Sequence, residues 1–260
     1  MRPEYFSVPL APSLSQPCPP REEGVNAPDL LIFRSLGLQD YTPVFEAMKS
    51  FTNTRDAQTA DELWAVEHPP VFTQGLNGKP QHLLAPGDIP VIPVDRGGQV
   101  TYHGPGQIVV YLLLDVRRAH WGPRQLVNLM ETAVIDLLAH YTIQGNTRPE
   151  APGVYVNGAK VASLGLRIRR GCSYHGLSLN TAMDLRPFAR INPCGYPGLQ
   201  VTQLRHLGVQ AGMDEIRELL LTRLTALLGY TTIGRVTGLP VSAEQETEHA
   251  RTESLPSAIG

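Results

Sequence analysis

The chain has 260 residues, 42% of them hydrophobic and 18% charged, with a net charge of −2. That is enough apolar material for one large core or two small ones, and far too little basic charge for the field that nucleic acid binding needs. No apolar run approaches the ~20 residues of a membrane span, and the N-terminus has neither a hydrophobic secretory core nor an Arg-rich amphipathic leader. The expected location is therefore cytoplasmic, with neither a membrane nor nucleic acid as partner. Cys18, Cys172 and Cys194 form an odd set without metal-ligand spacing, which predicts reduced thiols rather than a disulfide framework, and no metal.

Residues 1–28 are proline-rich and aperiodic, and 236–260 are polar, so both are expected to be disordered tails around one folded domain at 29–235. Within it, Asp40 is placed to cap a helix whose Val44, Ala47, Met48 and Phe51 form an apolar stripe. Leu63–Val66 and Val71–Thr73 read as strands on either side of a His68-Pro-Pro70 corner, because prolines cannot sit inside a ladder. Val91–Val94 and Ile108–Asp115 read as further strands, the second a continuous apolar run of the kind buried on both faces. Between them, Arg96-Gly97-Gly98-Gln99-Val100-Thr101-Tyr102-His103 and the following Gly104-Pro105-Gly106 read as a glycine-rich loop whose backbone can approach a ligand closely. It is no P-loop, since Gly-Lys-Ser/Thr is missing and no helix follows. Pro123 then opens a helix with Leu126, Leu129, Met130, Ala133, Val134, Leu137 and Leu138 on its buried face. Asn157-Gly158 marks a hairpin, Tyr174–Asn180 a strand, and the last helix runs from an Asp214 cap to Gly229. Helices and strands mix without strict βαβ alternation, which predicts an α+β fold on a mixed β-sheet flanked by helices.

Two residues stand out as candidates for chemistry. Cys194 lies in Asn192-Pro-Cys-Gly-Tyr-Pro-Gly198, where rigid turn residues can present a nucleophile at a cleft. Lys160, one of three lysines beside Lys49 and Lys79, opens the second strand of the hairpin. Alternation places it with Ala162, Leu164, Leu166 and Ile168 on the apolar face, unless a bulge at Gly165 changes the register. There it could serve as a base or stabilise a thiolate; the competing reading is an edge lysine whose stem reaches water. On residues alone, two other readings stand. One is a cysteine hydrolase pairing Cys194 with His103 or His175, and the other an adaptor in which Cys194 is structural.

Three segments then converge. Arg96-Gly-Gly-x-x-Thr-Tyr-His-Gly-Pro-Gly-Gln107, Gly158-Ala-Lys-Val-Ala-Ser-Leu-Gly-Leu-Arg167, and His175-Gly-Leu-Ser-Leu-Asn180 followed by Asn192-Pro-Cys-Gly195, closely resemble the lipoyl(octanoyl) transferase family of the lipoate pathway. The resemblance spans about residues 30–228 and leaves out the tails. It implies a fold like the catalytic domains of lipoate and biotin protein ligases. It implies transfer from octanoyl-acyl carrier protein to a lysine of lipoyl domains, namely those of 2-oxoacid dehydrogenase E2 subunits and the glycine cleavage H protein, with no cofactor. It further implies Cys194 as the acyl-thioester nucleophile, Lys160 as the catalytic lysine, and an acyl-binding site along Arg96–His103, Ser163-Leu164-Gly165 and Gly176-Leu177-Ser178. Tyr102 and Leu164 would shape the acyl tunnel, and the roles of His103 and His175 stay open between orientation of substrate and structural hydrogen bonding.

Overall fold

The structure, a computed structural model, describes residues 29–240, so the N-terminal tail and the segment from 241 onward lie outside the described residues. In chain order the elements are β1 (Leu30–Leu38), α1 (Tyr41–Thr54), β2 (Asp61–Glu67), β3 (Val71–Gln74), β4 (Val91–Pro93), β5 (Val100–His103) and β6 (Gln107–Leu113). They continue as α2 (Pro123–His140), β7 (Asn146–Thr147), β8 (Gly153–Val156), β9 (Ala159–Arg169), β10 (Cys172–Asn180), α3 (Met213–Leu228) and β11 (Thr232–Thr237). Eight strands form a mixed sheet in the order β11-β1-β2-β6-β10-β9-β8-β7, and β4-β3-β5 form a second sheet of three. β11, β1 and β2 run parallel, whereas β2-β6-β10-β9-β8 are antiparallel. The class is α+β, as expected.

The large sheet is covered on both faces, and its central strand shows why. Along β6, Val110 and Leu112 join α2 and α3 in one core, with Met130, Val134, Leu220 and Leu224. Val109, Tyr111 and Leu113 point the other way, to Val44 and Met48 of α1. A strand buried on both sides has no reason to alternate, which accounts for its continuous apolar run. α2 starts on Pro123 at its first position, and Gly122 donates its N–H to Gln125 Oε1 at 2.6 Å. At α3 the cap is Gly212 instead of Asp214, which sits in the first turn where its charge suits the helix dipole. Gly229, at φ 74°, ends that helix as expected. Asp40 occupies the cap position of α1 without a side-chain cap bond.

Several sequence expectations change. β1 and β11 were not foreseen, and the expected domain limit at 235 falls inside β11, which continues to Thr237 and pairs with β1. The glycine-rich loop is interrupted by a strand, β5, which pairs with β3 in the small sheet. Alternation along β5 turns Tyr102 away from Thr101 and His103, into a core with Phe72, Met183 and Phe188. Finally, the β8–β9 register pairs Tyr155 with Lys160 but Val154 with Ala162, leaving Val161 as an extra residue. That bulge, not one at Gly165, moves Lys160 off the face of Ala162 and onto the face of Tyr155. The hairpin turn itself is as expected, with Asn157 at φ 49° and Gly158 at φ 83°.

Candidate active site

The bulge at Val161 aims Lys160 at the Cys194 loop. The lysine is 1% exposed, and its Nζ lies 2.8 Å from Cys194 Sγ and 2.9 Å from the Pro152 carbonyl oxygen. Its ammonium also sits over the Tyr155 ring, 5.3 Å from the centroid. The main chain of Lys160 clamps the loop from the other side, donating to Gln200 O at 2.8 Å and accepting from Thr202 N at 2.9 Å. One residue thus fixes both the segment carrying the cysteine and the group that faces its sulfur. The cysteine has left-handed backbone, φ 55° and ψ 17°, in a short turn opened by Pro193. His82 holds the start of that turn through its carbonyl, which accepts from Asn192 N at 2.9 Å. The other described cysteine, Cys172, is buried at the far end of β10, and burial pushes its thiol up.

Cys194 opens onto a cavity of about 670 Å³, within the usual range of ~300–1,000 Å³ for small-molecule sites. Its wall contains Arg96, Gly97, Gly98, Gln99, Val100, Thr101 and His103, then Ser163, Leu164 and Gly165, then Gly176, Leu177 and Ser178. The three expected segments therefore meet in one place, and Tyr102 is the member that does not line it. Lys160 lies behind the wall and reaches it through the sulfur. Leu164 lines the cavity although its side chain packs toward the α2 and α3 core. Sequence reasoning did not foresee Tyr41, His82, Tyr111 and the Glu150-Ala151-Pro152 turn, which also line it. No local pattern marks them, because they come from four separate elements and loops.

The glycines of the wall have a steric reason. A Cβ on Gly165 would lie 3.0 Å from Arg96 Cδ, and one on Gly176 2.1 Å from the Val110 carbonyl oxygen. Arg96 is buried and donates to Thr73 O, Thr73 Oγ1 and Gly97 O at 2.8, 2.9 and 3.0 Å. Burial pushes its guanidinium down, with Tyr41, Cys194 and Tyr111 acting in the opposite sense. It stays a cation beneath the cavity floor.

The histidines are turned away from the sulfur. His103 places Nδ1 2.7 Å from Gln107 Oε1 and Nε2 3.3 Å from Thr73 Oγ1, and burial pushes it down to about 3. His175 Nε2 lies 3.0 Å from Asp95 Oδ1, and burial lowers this ring too. The observed hydrogen-bond partner of Cys194 is thus an amine rather than an imidazole, which disfavours the competing hydrolase reading with its cysteine–histidine pair. Among the described residues no group of three or more His, Cys, Asp or Glu side chains could hold a metal ion, and no helix is long and apolar enough to cross a membrane.

The sequence profile described as the lipoyl protein ligase A/B catalytic domain matches residues 40–225. The chain belongs to that family. Octanoyltransferases are among its relatives: that of Pseudomonas putida F1 is 61% identical over 206 residues, 79% of this chain and 96% of the relative. Those of Xanthomonas campestris pv. campestris B100 and Shewanella oneidensis MR-1 are 61% and 58% identical, covering 75% and 82% of this chain and 84% and 98% of theirs. Likeness of this extent makes the family member an acyltransferase. Solved structures share its fold at low identity. A lipoate-protein ligase A bound with ATP has a TM-score of 0.66 at 13% identity, covering 84% of this chain and 92% of that one. A bipartite lipoate protein ligase studied with its E2 lipoyl domain from Thermoplasma acidophilum has a TM-score of 0.65 at 13% identity, covering 85% and 91%.

Proposed function

We propose that the enzyme moves an octanoyl group from octanoyl-acyl carrier protein to the target lysine of lipoyl domains, as the first step of protein lipoylation, by way of a thioester on Cys194. The observation that carries this reading is the 2.8 Å contact of Lys160 Nζ with Cys194 Sγ at the mouth of the cavity. Lys160 Nζ is within hydrogen-bond reach of the sulfur and can take the thiol's proton, and the thiolate is the nucleophilic form. The Cys194 thiolate attacks the carbonyl carbon of the donor thioester; a C–S bond forms, the carrier's pantetheine sulfur leaves as the thiol with the proton of the Lys160 ammonium, and Lys160 is left neutral. The acceptor lysine must then lose a proton to attack. Lys160, in its neutral form, takes that proton, the amine nitrogen bonds to the acyl carbon, and the Cys194 thiolate departs. A thioester is exchanged and then converted to an amide, so no nucleotide is consumed and no cofactor is needed.

The acyl chain would lie along Arg96–His103, Ser163–Gly165 and Gly176–Ser178, with E2 subunits of 2-oxoacid dehydrogenases and the glycine cleavage H protein as acceptors. A nucleophile that must remain a free thiol suits the reducing cytoplasm. The test is intact mass spectrometry after incubation with octanoyl-carrier protein. One octanoyl group should appear on the wild type, be absent from Cys194→Ser, and be discharged by an apo-lipoyl domain. Discharge by water at the same rate would point to a hydrolase, and no adduct to a binding protein.

A further inference from the structure

The wall behind Lys160 contains a carboxylate that the transfer steps leave unused. Glu131, in the middle of α2, is 8% exposed on a helix face otherwise given to leucine, methionine, alanine and valine. Burying a carboxylate there costs several kcal/mol unless it is compensated by charge or hydrogen bonds. Its Oε1 accepts from Gly153 N at 2.9 Å; burial pushes the carboxyl up, while that hydrogen bond and then the charges of Lys160 and Arg124 act in the opposite sense.

The peptide that Glu131 grips is the one that Lys160 grips. Pro152 O accepts from Lys160 Nζ at 2.9 Å, and Gly153 N is the other end of the same peptide group. In a planar trans peptide the C=O and N–H point to opposite sides, so one rigid plate connects the carboxylate to the ammonium. A negative charge on the N–H side polarises the plate and makes the carbonyl a stronger acceptor. Glycine is required at 153 for this close approach, because φ is 146° and a Cβ there would lie 2.3 Å from Lys160 Cε.

We infer that Glu131 is a positioning residue for the transfer reaction, holding Lys160 Nζ against the Cys194 sulfur through the Pro152–Gly153 peptide. This rests on the proposed thioester mechanism and adds to it a residue remote from the substrate. Leucine at 131 is nearly isosteric and suits the surrounding core, but it cannot accept the Gly153 N–H. Glutamine can still accept it, without the charge.

The experiment measures kcat, KM for octanoyl-carrier protein and melting temperature for Glu131→Leu, Glu131→Gln and Cys194→Ser. Glu131→Leu should stay folded but melt somewhat lower than wild type, since the Gly153 N–H loses its acceptor, and should lose kcat by roughly tenfold or more, with KM nearly unchanged, because it misplaces the base and touches no substrate. Glu131→Gln should recover most of that loss. Wild-type kcat in Glu131→Leu, a defect confined to KM, or equal defects in both Glu131 variants would overturn the inference while leaving the thioester reading intact. Should Glu131→Leu not fold, Glu131→Asp replaces it: the carboxylate is a methylene short of Gly153 N, so activity equal to that of Glu131→Gln overturns the inference. Full turnover in Cys194→Ser would remove the thioester and this inference with it.

Discussion

Lys160 is held by four separate contacts, two from its main chain to Gln200 and Thr202 and two from Nζ to Pro152 O and Cys194 Sγ. Lys160→Arg should therefore lose most of its activity although the charge is kept. A guanidinium stays protonated and cannot accept the acceptor lysine's proton, so kcat should fall by about 10²-fold or more in steady-state assays. Near-wild-type turnover would reduce the lysine to a fixed charge. Gly153→Ala should also fail, since alanine at φ 146° is strained and its Cβ would strike Lys160 Cε. Cys172→Ser should transfer the octanoyl group normally, because Cys172 does not line the cavity. The place of Cys194 in a turn beside a cleft was legible from its prolines and glycines. The lysine's orientation was not, because a bulge at Val161 leaves no mark in a run of small and apolar residues. Tyr102 misled for a related reason: its flanking glycines suggested a loop, whereas a four-residue strand imposes alternation and turns the ring away.

At the junction of α1, β2, β3 and β5, the imidazoles of His68 and His103 lie 5.9 Å apart between centroids, and both are neutral. His68 donates from Nδ1 to Gln39 O and accepts at Nε2 from the Tyr111 hydroxyl, each at 2.7 Å, and burial pushes it down to about 4; His103 is down to about 3 for the same reason. An unfolded histidine titrates near ~6.5, so between about pH 6 and pH 4 the unfolded chain binds about two protons that the fold does not. The stability from these rings is present above the unfolded value and is lost as pH falls below it, at about 2–3 kcal/mol per pH unit for the pair. Urea midpoints at pH 7, 6 and 5 should fall steeply, and His103→Gln should flatten the slope by about one proton even though it lowers the midpoint at pH 7. An unchanged slope would mean that His103 is protonated in the folded protein. The helices here were legible because their periodicity reflects one buried face. β1 was not, since its residues bury irregularly and its Ser35–Gly37 register shift breaks any pattern.

Across the whole molecule, the sheet depends on its last strand and on one acidic center. Asp61 receives Arg55 and Arg118 at 2.5 and 2.6 Å together with the Tyr230 hydroxyl, drawing α1, β2, the loop after β6 and the approach to β11 onto one carboxylate. Ending the chain after residue 240 should leave the melting temperature and activity nearly unchanged, whereas ending it after residue 228 removes β11 and Tyr230 and should lower the melting temperature by several degrees.

The charge field of the molecule bears on how the proposed carrier is caught. Acyl carrier proteins and lipoyl domains are typically acidic, and a chain of net charge −2 can attract them only through a local basic surface. Of the arginines that could supply it, Arg186 is paired with Asp184 and Arg190 reaches Asp88 and Pro86 O, so their charge is largely committed. Arg167, Arg169 and Arg170 stand exposed at the β9–β10 hairpin, where Gly97 N donates to Leu166 O at 2.9 Å and so brings the cavity wall alongside. Charge reversal at Arg169 and Arg170 should raise KM for octanoyl-carrier protein at low salt, and added salt should shrink the difference, because exposed charges are screened beyond about 10 Å at ~0.1 M. A small uncharged octanoyl thioester should serve both proteins equally. An equal defect on that small donor, or an unchanged KM for the carrier, would take the hairpin out of the docking surface.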